Sequence, residues 1–263
     1  MRRVIRSGWL VEGAQAGRGE TRMAVLKEFY ERFAARWGGA IPPEVLDRVR
    51  AAGYSNQEVH SVPPEAVLGL GCGNPGAFAD MRPGETVMDL GCGAGFDSLL
   101  AARRVGKKGC VIGIDMTPWM IEKARRNAAK IGLRNLEFRI GELEKLPADD
   151  SSVDVVVSNC VINHARDKGR VFAEAYRVLR PGGRMVISDL VTEGRFSGDV
   201  LKNMDEVWRE WLVSAVGKKQ YLEAMAGAGF REIIVLTELA YDGPSVGRGL
   251  EGRIASLQVR GWK

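Results

Sequence analysis

The sequence predicts an α/β fold, a mostly parallel sheet covered by helices on both faces, and three observations predict it. From Gly84 onward, short apolar segments alternate with helical ones through brief connections, as strand–helix–strand units require. A glycine-rich turn, Gly91-Cys92-Gly93-Ala94-Gly95, joins the end of one apolar segment to a helical one. Late in the chain, Arg253 to Arg260 alternates at period two, the pattern of an antiparallel strand closing an otherwise parallel sheet.

Each element has its own local signal. Met1 to Met23 carries arginines and glycines without a continuous apolar core, so it reads as a flexible tail (residues 1–22) and not as a secretory signal. Met23 to Ala35 and Pro42 to Ala52 read as amphipathic helices. With the loop Leu68-Gly69-Leu70-Gly71-Cys72-Gly73-Asn74-Pro75 they make an N-terminal lid over 23–80. So much glycine leaves that loop little to pack with, and it is expected to cover a site. The core, 81–193, holds strands at 85–90, 111–115, 136–140, 153–158 and 184–189. A helix follows at Phe96 to Val105. Thr117 as N-cap, Pro118 at the first helical position and Glu122 early in the run start another. Gly169 to Leu179 places Val171, Phe172, Ala175, Val178 and Leu179 on one face, and Arg180-Pro181-Gly182-Gly183 ends it. The last segment, 194–263, is expected to cover substrate with helices at 198–214 and 218–228 and to complete a seven-stranded sheet with strands near 232–238 and 253–260.

Composition excludes several classes of function. The 263 residues are 45% hydrophobic and 27% charged, an ordinary globular balance. No apolar run approaches the roughly 18 residues needed to span a bilayer. The formal charge of +5 is spread over pairs such as Arg103-Arg104, Lys107-Lys108 and Arg125-Arg126, interleaved with acids, which reads as solvated surface and not as a nucleic-acid stripe. Four cysteines without paired spacing, and no C-x-x-C, point to a reducing cytoplasm and away from a zinc site.

The glycine turn predicts a ligand. Gly91, Gly93 and Gly95 remove Cβ atoms where the chain bends, so a ligand can approach the main chain. The next strand ends in Asp115, 24 positions after Gly91, where an acid in a nucleotide-binding unit accepts hydrogen bonds from ribose hydroxyls. Phe96 stands where a dinucleotide fingerprint wants a small residue, which disfavours a pyrophosphate. S-adenosylmethionine has an adenosine and no phosphate, and Asp89 is placed to meet its α-ammonium.

These residues are numerous enough to name a resemblance. DLGCGAGFDS at 89–98, GIDMTPWMIEKAR at 113–125, Glu142-x-Glu144-x-Leu146-Pro147 and VLRPGGRMVISD at 178–189 resemble the class I S-adenosylmethionine-dependent methyltransferases, whose sheet is Rossmann-like. LGLGCGNP at 68–75, GIDMT at 113–117 and SNCVINHA at 158–165 are similar to the arsenite methyltransferases. The resemblance implies that Asp89, Gly91, Gly93 and Gly95 line the methionine end of S-adenosylmethionine and that Asp115 holds the ribose. It places Met116 beside the adenine, Glu142 near its amino group, and Gly141 and Leu143 in backbone contact. Asn159, counted with the cofactor-binding residues, and Cys160 follow the fourth strand at its carboxyl end. Cys72 and Cys160 belong to the arsenic-handling set, with arsenite or a methylated arsenical as substrate and a thiol reductant as partner.

The chemistry of trivalent arsenic fits that assignment. It is soft and prefers thiolates to oxygen or nitrogen donors. Once it is held by sulfur, its lone pair can attack a sulfonium methyl in line without a general base, so catalysis rests on positioning and exclusion of water. Methylation formally oxidises the arsenic, and a cysteine pair near the site can cycle through a disulfide to return it to the trivalent state. Cys92 inside the turn and Cys110 before a strand read as small buried residues. His60 and His164 have no partner in the sequence pattern, and Trp119 and Trp211 read as packing residues. The chain departs from the resemblance in two places. It has no cysteine after Cys160 and none near Trp37-Gly38-Gly39-Ala40-Ile41, where such enzymes commonly carry thiols. Two alternatives stay open: a methyltransferase for another small organic acceptor, with Trp208 and Trp211 forming an apolar pocket, or a non-catalytic cofactor-binding protein.

Overall fold

The computed structural model of the protein describes residues 39–194, 214–240 and 253–263. The expected tail at 1–22, the helix at 23–35, all but the last residue of the helix at 198–214, and Trp208 and Trp211 lie outside the described residues.

The sheet comprises β1 (Thr86–Leu90), β2 (Cys110–Asp115), β3 (Leu136–Ile140), β4 (Val153–Asn159), β5 (Leu179–Glu193), β6 (Arg231–Ala240) and β7 (Arg253–Trp262). Their spatial order is β3-β2-β1-β4-β5-β7-β6. β1 to β5 pair in parallel, and β7 runs antiparallel between β5 and β6. The strand order reverses between β1 and β4, so the crevice beyond their carboxyl ends is where such a sheet receives a ligand.

Helices α1 (Pro43–Ala51), α2 (Asn56–His60), α3 (Phe96–Val105), α4 (Pro118–Lys130), α5 (Lys168–Val178) and α6 (Lys218–Gly227) cover the two faces. Alternation along the strands divides the core. Val87, Val111, Val155 and Val157 pack with Ala101, Ala102 and Val105 of α3. Met88, Leu90, Ile112 and Ile114 pack towards Val171, Phe172 and Val178 of α5 and Tyr221 and Met225 of α6. Because both faces are buried, these strands read as nearly continuous apolar runs. Val45 and Val49 of α1 join Tyr54, Val59, Leu99 and Ile121 in a separate cluster, which seats the N-terminal helices on α3 and α4.

Two expectations are corrected. β5 extends well beyond 184–189 because β7 pairs with it residue by residue from Arg184↔Trp262 to Glu193↔Arg253, and a register shift absorbs Pro181 to Gly183. The loop at 68–75 is not loosely packed: Leu68, Cys72, Asn74 and Pro75 are buried. Ser256 Oγ donates to Cys72 O at 2.7 Å, and the Asn74 side chain caps the short 3-10 turn Pro75–Phe78 by accepting from Ala77 N.

Candidate active site

The turn after β1 is tied to the end of β2. Gly91 N and Cys92 N both donate to Ile114 O, at 2.8 and 2.9 Å. Gly91 has a φ of +70°, and a Cβ there would lie 2.6 Å from Val161 Cγ2, so the position requires glycine on two counts. Gly93, at φ +52°, faces open space. Asp115 clamps the far side by accepting from Gly93 N at 3.0 Å and Thr117 N at 2.8 Å.

The turn borders a cavity of about 390 Å³, within the range of small-molecule and cofactor sites. Asp89, Gly91, Gly93, Asp115, Met116, Gly141, Glu142, Leu143, Asn159 and Cys160 all line it. Two candidate residues do not. Gly95 is not in the wall: at φ +92° its Cβ position faces Ala124 and Phe138, so it makes the entry to α3 against α4. Cys72 lies behind the wall, buried next to Cys160.

The cavity is rich in acids. Asp89, Asp97, Asp115, Glu142 and Glu144 line it, against Arg166 and His164. Asp89 is buried and accepts from Ser98 Oγ at 2.5 Å. Burial, and then the charge of Asp97, push its carboxyl up to about 8, while the Ser98 bond opposes the shift. Asp97 is also raised by burial, and it accepts from Tyr54 OH at 2.6 Å and Asn159 Nδ2 at 3.1 Å. Burial raises Asp115 against the pull of the Thr117 and Gly93 amides. Carboxylates held at this cost suit a ligand carrying positive charge and hydroxyl donors, and they repel a pyrophosphate.

Cys160 follows β4 with a φ of +60°, which is uncommon for a side chain larger than glycine's, and its N donates to Ser188 O at 2.7 Å. This bend turns it from the strand end into the cavity. Burial and the hydrogen-bonding thiol of Cys72 push the Cys160 thiol well up, and the nearby Asp189 carboxylate adds to the shift. Asp189 is buried and accepts from Tyr221 OH at 3.0 Å, Asn163 Nδ2 at 2.9 Å and Leu190 N at 2.9 Å. Its carboxyl is pushed up to about 6 by burial. Cys92 also lines the cavity, its thiol buried within the turn, whereas Cys110 is half-buried at the start of β2.

Sequence reasoning missed Tyr54, Asp97, Met120, His164 and Arg166 in the cavity wall and the Asp189–Tyr221–Asn163 group behind it. Asp97 lies inside the quoted DLGCGAGFDS motif and was within reach of the sequence. Tyr54 stands in no pattern and arrives only through α1 packing. Trp119 sits under Lys123 Nζ, 5.0 Å from the ring centroid.

A family profile described as "Methyltransferase domain" matches residues 81–229. The arsenite methyltransferase of Halobacterium salinarum is 59% identical over 155 residues, covering 59% of this chain and 40% of that protein. The mouse arsenite methyltransferase is 36% identical over 171 residues, 62% of this chain and 44% of that one. The chain thus spans less than half the length of these curated relatives. Among solved structures, an arsenic(III) S-adenosylmethionine methyltransferase from Chlamydomonas reinhardtii superposes with a TM-score of 0.65 at 35% identity, covering 86% of this chain and 75% of that one. The chain belongs to the class I S-adenosylmethionine-dependent methyltransferases and, within them, to the arsenite methyltransferase family.

Proposed function

We propose that the protein methylates trivalent arsenic held on Cys160 and Cys72. The observation that carries this reading is a pair of buried, neighbouring thiols, one of which opens onto an acid-rich cavity built by a glycine turn.

The cavity residues fit S-adenosylmethionine. Gly93 leaves room beside the main chain, Asp115 presents carboxylate oxygens for ribose hydroxyls, and Asp89 and Asp97 are acids that can ionise against a cationic methionine end. Met116 and Leu143 offer apolar surface to an adenine, with Glu142 at its edge. When bound, the cofactor supplies an electrophilic methyl group on a sulfonium.

The chain's own part is to place arsenic. Each thiol that displaces an arsenic hydroxide sends its proton out with the hydroxide as water, so two As–S bonds form and no separate base is needed. The arsenic lone pair carries no proton, and the reaction asks only for alignment and dryness. Arsenite or a methylated arsenical fits two thiols. Formal oxidation at arsenic then calls for a thiol reductant, which fits a cytoplasmic setting. Among the described residues no helix is long and apolar enough to cross a membrane.

The second reading, methyl transfer to another small organic acceptor, is favoured by one observation: only Cys160 of the thiol pair reaches the cavity. Titration with arsenite, followed by tryptophan fluorescence, and an assay for methylated arsenic with a thiol present separate the two. The first reading expects both signals. Cofactor binding with neither signal selects the second.

The cofactor reading has its own test. Asp115→Ala removes a charged acceptor and frees the Gly93 and Thr117 amides, and hydrogen bonds to a charged group contribute roughly 1.5–3 kcal/mol each. Affinity for S-adenosylhomocysteine is expected to fall about 100-fold by calorimetry. An unchanged affinity would remove Asp115 from the ribose site.

A further inference from the structure

We propose that Asn159 is a positioning residue that holds Cys72 beside Cys160 and couples its placement to occupancy of the cofactor pocket. The inference rests on the reading that the cofactor's methionine end meets the Asp97 side of the cavity.

One side chain joins three segments. Asn159 Oδ1 accepts from Cys72 N at 3.0 Å, and Nδ2 donates to Gly73 O at 2.8 Å, so the amide grips the thiol loop on both sides of Cys72. The same Nδ2 reaches Tyr54 OH at 3.0 Å and Asp97 Oδ2 at 3.1 Å. Tyr54 and Asp97 line the cavity, as does Asn159, whereas Cys72 does not. The loop is shaped for this grip. A Cβ on Gly71 would lie 2.5 Å from Asn159 Nδ2, so only glycine allows the backbone to sit so close.

The donor is oversubscribed. An amide nitrogen carries two hydrogens, and three acceptors surround it. In the ligand-free protein Gly73 O therefore competes with Asp97 and Tyr54 for those hydrogens. A cationic group that engages Asp97 withdraws that carboxylate from the contest and releases a hydrogen to Gly73 O. The loop is then held by both of its bonds, and Cys72 is fixed next to Cys160. Linkage makes the effect reciprocal, so fixing the loop strengthens cofactor binding by the same factor. Asn159, expected among the cofactor-binding residues, thereby serves the acceptor side through the loop as well.

Labelling of Cys72 by a small thiol reagent tests this, with peptide mapping to separate it from Cys110 and with S-adenosylhomocysteine as the unreactive ligand. In the unmodified protein the ligand is expected to slow Cys72 labelling about tenfold, within the usual range of coupling between sites. In Asn159→Ala, Cys72 should label several-fold faster without ligand and lose the protection, while Cys110 is unchanged. Gly71→Ala pushes the loop off the amide from the opposite side and should give the same pattern, which keeps the test open if one variant folds poorly. Simple shielding by the bound ligand would instead survive in both variants. Equal protection in the unmodified and variant proteins, or unchanged basal labelling in both folded variants, overturns the proposal. Calorimetry on the unmodified protein reports separately on the cofactor reading: no heat with S-adenosylhomocysteine defeats that reading and the coupling with it, whereas binding without loss of protection defeats the coupling alone.

Discussion

A Cys160→Ser protein is expected to lose methyl transfer to trivalent arsenic at least ~100-fold, since removing even a supporting group at a metal site costs about 10–100-fold and here a direct sulfur ligand is lost. The reason is ligand softness: a serine oxygen is a poor donor to arsenic, and Cys160 is the thiol that faces the cavity. The fold should tolerate the change, because the backbone bond from residue 160 to Ser188 O and the bend at φ +60° do not involve sulfur. S-adenosylhomocysteine affinity is therefore expected to stay near that of the unmodified protein. Cys72→Ser should also lose turnover, by removing the second ligand from behind the wall. Cys110→Ser serves as a control, since that half-buried thiol lies at the start of β2 on the far end of the strand from the cavity. Retained arsenic methylation in Cys160→Ser, measured by product analysis, would exclude the two-thiol site.

Asp89→Asn should stabilise the ligand-free protein at pH 8 and weaken its cofactor binding. The Asp89 carboxyl is raised from 3.8 to about 8, first by burial and then by the charge of Asp97. Above the unfolded value the unfolded chain has lost its proton while the folded protein still holds it. Stability is thus fully present at low pH and erodes as pH rises through the window from about 4 to about 8. An amide keeps the acceptor for Ser98 Oγ and never ionises, so the erosion disappears. The expected gain at pH 8 is on the order of 2 kcal/mol, seen as a rise in Tm of about 5 °C, and it should shrink to a minor fraction of that at pH 5. An amide cannot ionise against the α-ammonium of the ligand's amino-acid end, so S-adenosylhomocysteine should bind about tenfold or more weakly. Scanning calorimetry at pH 5 and 8 decides the first point; a lower Tm at pH 8 would mean that Asp89 is stabilising as a carboxylate.

Together these two variants divide the site into an acceptor half and a cofactor half. The acceptor half is made of two buried thiols, of which burial keeps that of Cys160 protonated, and the cofactor half of carboxylates that burial makes costly. Both halves sit at the carboxyl ends of β1 and β4, where the parallel part of the sheet changes direction. Asn159 lies at the junction.

The sequence by itself determined the strand order's raw material and much of the site. Apolar runs at 85–90 and 111–115 declared strands buried on both faces, the glycine triplet declared the turn, and Asp115 declared its acid, because these depend on spacing along a few neighbouring residues. Period-two alternation at 253–260 gave the antiparallel strand, which inserts between β5 and β6. Only the tertiary structure decided the rest. The length of β5 came from a partner strand some 70 positions later, the burial of the 68–75 loop from Ser256, Ser188 and Gln258 on β5 and β7, and the place of Tyr54 from helix packing. The same holds for Gly95 and Cys72, one absorbed into helix packing and the other set behind the wall. Contacts between residues 43 to 184 positions apart leave no local pattern, since nothing in a short window of sequence constrains them until the sheet has closed.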